Sequence, residues 1–373
     1  MKCKVVILNI SLIGVMLMCF TVNASAEVIN DVAAEVYEDI ELPESVQTVL
    51  ESIGFTEITA EKISNISIID TFRAIIDIFK GSLKKPLETL CGLIALIIVS
   101  SVGSGYLTGN GSVSQFFDTS VTMFIVLLAF SGAAESIDTA VDSMYTGGFL
   151  MKSLIPIIGT LSVLSGSPSA AVSYNAVSMY CAQAISSLCR DFLSVFLSVF
   201  AVVTVCSGIN NLFNFTPVIN TVKKFVNVVL GLCGTIYTGI LALKDVLAVG
   251  IDKVAVKGVK FVIGSAVPVV GSALSEGLSS IIASVSLMRN TYGTIGIIVV
   301  VAVTLPAVCE LVLWIFTFMI SSYAAQTLGL DSVAAILENI RYVMSMLLSI
   351  LLFTVYMLII SSAMIILLGG NKA

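Results

Sequence analysis

The 373-residue sequence contains no histidine. That absence excludes Ser-His-Asp and Cys-His nucleophilic catalysis, HExxH zinc sites and histidine proton relays. Charge is also scarce. Asp, Glu, Lys and Arg together make up 11% of the chain, against about 25% in soluble domains, too little to coat a water-facing surface of this size. The charge present leans acidic, with a net −6 and a pI of 4.8. No basic footprint for nucleic acid exists, and no nucleic-acid partner is expected. No CxxC pair occurs among Cys3, Cys19, Cys91, Cys181, Cys189, Cys206, Cys233 and Cys309. None of them falls between residues 27 and 86, so that stretch can hold no disulfide framework. The six beyond it lie in apolar runs and read as small hydrophobes in helix packing. No Gly-Lys-Ser/Thr P-loop is present, and the glycines between Gly103 and Gly111 lack the dinucleotide spacing, so this stretch reads as a flexible loop. No enzymatic activity, metal or cofactor is expected.

What remains is apolar. Hydrophobic residues make up 57% of the chain and mean hydropathy is +1.07. This composition predicts an all-α, polytopic membrane protein in contact with membrane lipid. Residues 1–26 read as a signal peptide: Lys2 and Lys4 precede an apolar run, and Ala24-Ser25-Ala26 forms an A-x-A cleavage site before Glu27. The alternative is an uncleaved first span. Residues 27–86 form a small acidic, helical extracytoplasmic region holding half of the 24 acidic residues. One amphipathic helix there stops at Gly54. A second carries Ile66, Ile69, Phe72, Ile76 and Phe79 and stops at Gly81. Such a region buries little core alone and is expected to dock on the membrane domain or a partner, or to serve as a solvated spacer.

Residues 87–373 form the membrane domain. Runs of about 20 apolar residues predict about seven spans, at 88–107, 117–136, 171–189, 192–211, 225–243, 294–317 and 343–368. Two shorter segments, 150–165 and 261–275, are broken by Pro and Gly and read as re-entrant or half-helix elements. With residue 27 outside, loop 244–293 falls inside with Lys244, Lys253, Lys257, Lys260 and Arg289, in accord with the positive-inside rule. Lys84, Lys85, Lys223 and Lys224 fall outside, against it.

Two features point to a polar pathway. Ile155-Pro156-Ile157-Ile158-Gly159 echoes Val267-Pro268-Val269-Val270-Gly271 with opposite predicted orientation, as in inverted-repeat transporters; coincidence in an apolar, glycine-rich chain is the other reading. Glu310 lies inside a predicted span, four residues after Pro306, and shares a helical face with Pro306, Thr317 and Ser321. An ionisable residue there reads either as cavity or pore lining or as a protonated carboxyl hydrogen-bonded inside the bundle. Glu338 and Arg341, three apart before the last span, read as an interfacial pair. Ser345, Ser349 and Tyr356 share one face of that span, and Gly231 and Gly234 permit close helix approach; both sets read as packing. Residues 244–260 are amphipathic and suit either an anionic leaflet or a soluble loop.

The order of signal, acidic exported segment and polytopic domain, with the elements Leu154-Ile-Pro-Ile-Ile-Gly159 and Ala266-Val-Pro-Val-Val-Gly271, resembles the stage III sporulation protein AE family of endospore-forming bacteria. The resemblance covers nearly the whole chain. It implies a multi-pass protein of the mother-cell membrane around the forespore, a non-enzymatic subunit of a channel or secretion-like complex linking the two cells. Its implied partners are the other stage III sporulation proteins of the same operon, including an ATPase and ring-forming subunits, and a forespore-side partner. It carries over no catalytic residues. The alternative expectation is a stand-alone secondary transporter with its site between Pro156, Pro268 and Glu310; a third is a purely structural anchor.

Overall fold

An apolar chain segment out of reach of water must satisfy its own backbone donors and acceptors, and a helix does so within one segment. The computed structural model describes residues 68–106, 111–166, 168–187, 217, 220–240, 256–258 and 271–370, and all regular structure among the described residues is α-helical. The long helices are α1 (Ile68–Tyr106), α2 (Gly111–Leu164), α3 (Pro168–Ser187), α4 (Gly271–Thr327) and α5 (Asp331–Gly370). A further helical segment covers 220–240. Among the described residues four stretches are long and apolar enough to cross a membrane: Phe79–Tyr106, Val113–Leu164, Gly296–Thr327 and Asp331–Ala363.

These four contain the predicted spans 88–107 (but for its last residue), 117–136, 294–317 and 343–368 in whole or large part. The span expected at 171–189 corresponds to α3, and that at 225–243 falls on the helical segment as far as residue 240. The span expected at 192–211 and residues 261–270 lie outside the described residues, as do the signal peptide and the acidic region up to residue 67.

Several expected interruptions are absent. The helix predicted to stop at Gly81 runs on through Pro86 to Tyr106, so α1 crosses the expected domain boundary. Segment 150–165 is not re-entrant, because Pro156 lies inside α2. The loop expected to reach residue 293 is helical from Gly271, and the helix passes through Pro306. Gly103 and Gly105, read as loop, belong to α1. An interior proline costs about 3 kcal/mol and an interior glycine about 1 kcal/mol. Both are local penalties, and burial of long apolar faces outweighs them. Among the described residues, two breaks occur where a glycine takes positive φ. Gly166, with φ +81°, follows α2, and Gly329, with φ +76°, follows α4. At the second break Leu330 N–H donates to the Ala325 carbonyl at 2.9 Å and Gly329 N–H to that of Gln326 at 3.1 Å, a Schellman closure. Asp331 then opens α5, where its charge suits the helix N-terminus.

Contacts between helices set their relative levels. Phe117 lies against Gly103, Leu128 against Gly92, and Lys85 meets Glu135, so α1 and α2 are antiparallel. Ser322 Oγ donates to the Ala334 carbonyl at 3.0 Å across the α4–α5 hairpin. Leu358 of α5 lies against Gly147 of α2. Ser136 of α2 and Ser165, in the turn that follows it, meet Glu310 and Arg289 of α4. The core running between these helices includes Ile97, Ile125, Leu311, Trp314, Phe318, Leu337, Leu347 and Leu351, all fully buried.

The helices outrun a bilayer. At 1.5 Å per residue the 54 residues of α2 and the 57 of α4 span about 81 and about 86 Å, whereas a hydrocarbon core is about 30 Å thick. The bundle therefore holds more than one membrane thickness of apolar helix. A band of charged residues lies partway along it.

Candidate functional site

Helix α4 brings Glu310 to that band. Its Oε1 accepts a hydrogen bond from Ser136 Oγ of α2 at 2.5 Å; Ser136 is buried and Glu310 half-buried. One residue before Ser136, Glu135 pairs with Lys85 of α1 at 2.5 Å, both side chains mostly exposed. One turn beyond Glu310, Trp314 is fully buried and stacks on Phe318 with ring centroids 5.4 Å apart. Room for the indole comes from Gly132, where an added Cβ would stand 2.6 Å from Trp314 and 2.8 Å from Thr89 Oγ1. Thr317 Oγ1 donates to the Pro86 carbonyl at 3.3 Å. Three helices thus meet with a carboxylate at the centre and an ion pair at the rim.

The level of this node follows from the helix pairing. Counting back along the α4–α5 hairpin from Ser322 and Ala334, Glu310 stands level with the stretch around Ser345. Counting along α2 and α5 from Gly147 and Leu358, Ser136 does too. Lys223 of the helical segment 220–240 donates to Ser345 Oγ at 2.7 Å, which adds it to the same belt. Roughly 27 Å of helix separates Glu310 from Leu328 near the hairpin turn, and roughly 31 Å separates it from Arg289 on the other side. Each distance is about one hydrocarbon core. Glu310 thus stands partway along the apolar stretch Gly296–Thr327 of α4.

The other members of the expected polar face are placed as follows. Pro306 is half-buried inside the unbroken α4. Thr317 is 4% exposed, and Ser321 is 0% exposed with no hydrogen-bond partner among the described residues. Both lie in the helix packing. Pro156 and Gly159 sit near the far end of α2, and Pro156 is roughly 30 Å along the helix from Ser136. Gly159 lies against Asn175 of α3. Pro268 is outside the described residues, and Gly271 is the first residue of α4. The structure therefore joins Glu310 and Thr317 in one place and keeps Pro156 and Gly159 away from them.

Several polar residues of the bundle carry no sequence signal of their own. Ser136, Glu135 and Lys85 are unremarkable until α1, α2 and α4 pack. Arg289, assigned to a loop by sequence, is 1% exposed and donates to Ser165 Oγ at 3.1 Å; burial pulls its guanidinium below the ordinary range. The Glu338–Arg341 pair forms as spaced, at 2.9 Å. A Cβ added at Gly234 would lie within 3.4 Å of Phe353 and Tyr356, while one at Gly231 would meet nothing within 4 Å among the described residues. Among the described residues no group of three His, Cys, Asp or Glu side chains could hold a metal ion.

Comparison with known proteins gives this helical architecture its family. No solved structure matches the chain. It is 20% identical over 231 residues to stage III sporulation protein AE of Bacillus subtilis (strain 168), an alignment covering 62% of this chain and 58% of that relative. The chain thus matches a little over half the length of its curated relative. The family model for stage III sporulation protein AE matches residues 54–369, a stretch that includes the five long helices, but for the last residue of α5, and the belt. This is a sporulation-related membrane protein, and the chain belongs to the stage III sporulation protein AE family.

Proposed function

We propose that the protein is a non-enzymatic, multi-pass subunit of a channel or secretion-like complex joining mother cell and forespore, seated in the mother-cell membrane around the forespore. The observation that carries this reading is the belt at Glu310. A half-buried carboxylate, held by Ser136, lies beside an exposed Lys85–Glu135 pair partway along apolar helices. Within one chain the Thr317 and Ser321 face is filled by neighbouring helices. A conduit would therefore run between this chain and its partners, with the belt on its wall. The partners in this reading are the other products of the same operon, among them an ATPase and ring-forming subunits, and a forespore-side protein.

A stand-alone transporter with one site between Pro156, Pro268 and Glu310 gains no support, since Pro156 and Glu310 do not converge. The test is affinity purification of the full chain from membranes of sporulating cells. Stable co-purification of the operon's other products is expected, together with loss of heat-resistant spores when the gene is deleted. A protein that purifies alone and transports solute in liposomes would overturn the complex.

A further inference from the structure

The belt is unevenly charged. On the α1–α2 side it carries Glu88, Glu135, Asp138 and Asp142 as well as Lys84 and Lys85. On the α5 side it is basic. Lys223 lies with its ammonium 5.1 Å from the centroid of the Tyr342 ring, and Arg341 lies 4.8 Å from the same centroid. The carboxylate of Glu338 already accepts from Arg341 and from the Tyr342 hydroxyl, each at 2.9 Å. Lys223 has only the neutral Ser345 hydroxyl among its described polar partners. Lys224, exposed, adds a third cation. Burial, then the charge of Arg341, brings the Lys223 ammonium down to about 8, as expected where cations converge without enough negative charge.

Immediately after this pair the outward face of 220–240 turns apolar. Val228 is 61% exposed, Leu232 59% and Ile236 60%. These residues are four apart, on the side of the helix that Lys224 caps. A cationic cluster at the head of an exposed apolar stripe is the complement of a phospholipid with an anionic head. Position in the sequence agrees: Lys223 and Lys224 immediately precede the predicted span 225–243, and Arg341 the predicted span 343–368, the depth at which lipid phosphates lie.

We propose that Lys223, Arg341 and Ser345, with Lys224 at the rim, bind the phosphate of an anionic phospholipid headgroup. The proposal rests on the membrane reading and is independent of the channel assignment. The lipid supplies the missing negative charge, and its chains lie along Val228 and Leu232.

The test uses the purified full chain, with bound lipid counted by native mass spectrometry during titration with phosphatidylglycerol or phosphatidylcholine. Phosphatidylglycerol is expected to bind at least fivefold more tightly, with a preference that weakens as salt rises. Lys223→Gln should reduce that preference about fivefold, the worth of one basic residue at an anionic surface. Lys223→Arg should retain it, at unchanged elution volume. Equal binding of the two lipids, or an unchanged preference in Lys223→Gln, would overturn the site. Millimolar inorganic phosphate should not displace the lipid; if it does so fully, the site takes free phosphate and the lipid assignment fails. Carbodiimide cross-linking of Lys223 to a carboxylate of a second copy in membranes rich in phosphatidylglycerol would assign the cluster to self-association instead.

Discussion

Ser136 and Glu310 are 174 positions apart in sequence and share a 2.5 Å hydrogen bond. Ser136→Ala removes the donor. Glu310→Leu removes the acceptor and leaves a hydroxyl that is 1% exposed without its partner. Hydrogen bonds to charged groups contribute about 1.5–3 kcal/mol in water-soluble proteins. Interhelical bonds in a membrane protein average about 0.6 kcal/mol, with a maximum near 1.7 kcal/mol. A buried donor on a half-buried carboxylate lies where these ranges meet, so a double-mutant cycle should return a coupling of about 1.5 kcal/mol. Glu310→Gln keeps an acceptor for Ser136 and loses only charge assistance, so it should be the mildest of the three single variants. Unfolding can be followed in detergent by the fluorescence of Trp314, the single tryptophan, one turn from Glu310. A coupling below about 0.5 kcal/mol would refute the view that this bond organises the node. The functional arm counts heat-resistant spores at matched membrane levels. Glu310→Gln should assemble and yet lower the count, and full activity of Glu310→Leu would remove the residue from any pathway.

Two glycines of the same kind of helix should respond with opposite signs. Gly132→Ala places a Cβ within 3 Å of Trp314 and Thr89, an overpacking cost of about 1–3 kcal/mol that exceeds the helix-propensity gain of about 1 kcal/mol. Gly231→Ala meets nothing within 4 Å among the described residues, so its melting temperature should rise while that of Gly132→Ala falls. Lys223 titrates at about 8, below its ordinary 10.5, first because of burial and then because of Arg341. The folded protein therefore carries a penalty that is full below about pH 8 and fades as pH rises toward the unfolded value. In detergent free of anionic lipid, stability should increase between those two pH values, and Lys223→Gln should flatten the rise. Cysteines placed at Glu44 and Lys257 should label from opposite sides of the membrane; labelling of both from one side would reverse the orientation drawn from the positive-inside rule.

Composition alone determined the class of this protein. The missing histidines, the scarcity of charge and the apolar runs at 88–107, 117–136, 294–317 and 343–368 are properties of contiguous residues, and solvent reads them residue by residue. The resemblance to the family rested on the same contiguous order of segments, and the match over residues 54–369 agrees with it. Where helices stop was less legible. Gly81, Pro86, Pro156 and Pro306 all look like breaks because their local cost is visible in sequence, while the packing that outweighs it depends on faces contributed by other helices. Glu310 stood out as an isolated carboxylate in an apolar run, but Ser136 is one serine among many. Lys85 and Lys223 read as charges outside the spans, and Glu135 carried no signal of its own. Only tertiary packing decided that they share one level with Glu310. The hydrogen bonds that align them join residues 122 and 174 positions apart, and no periodicity within a single helix encodes the register between two.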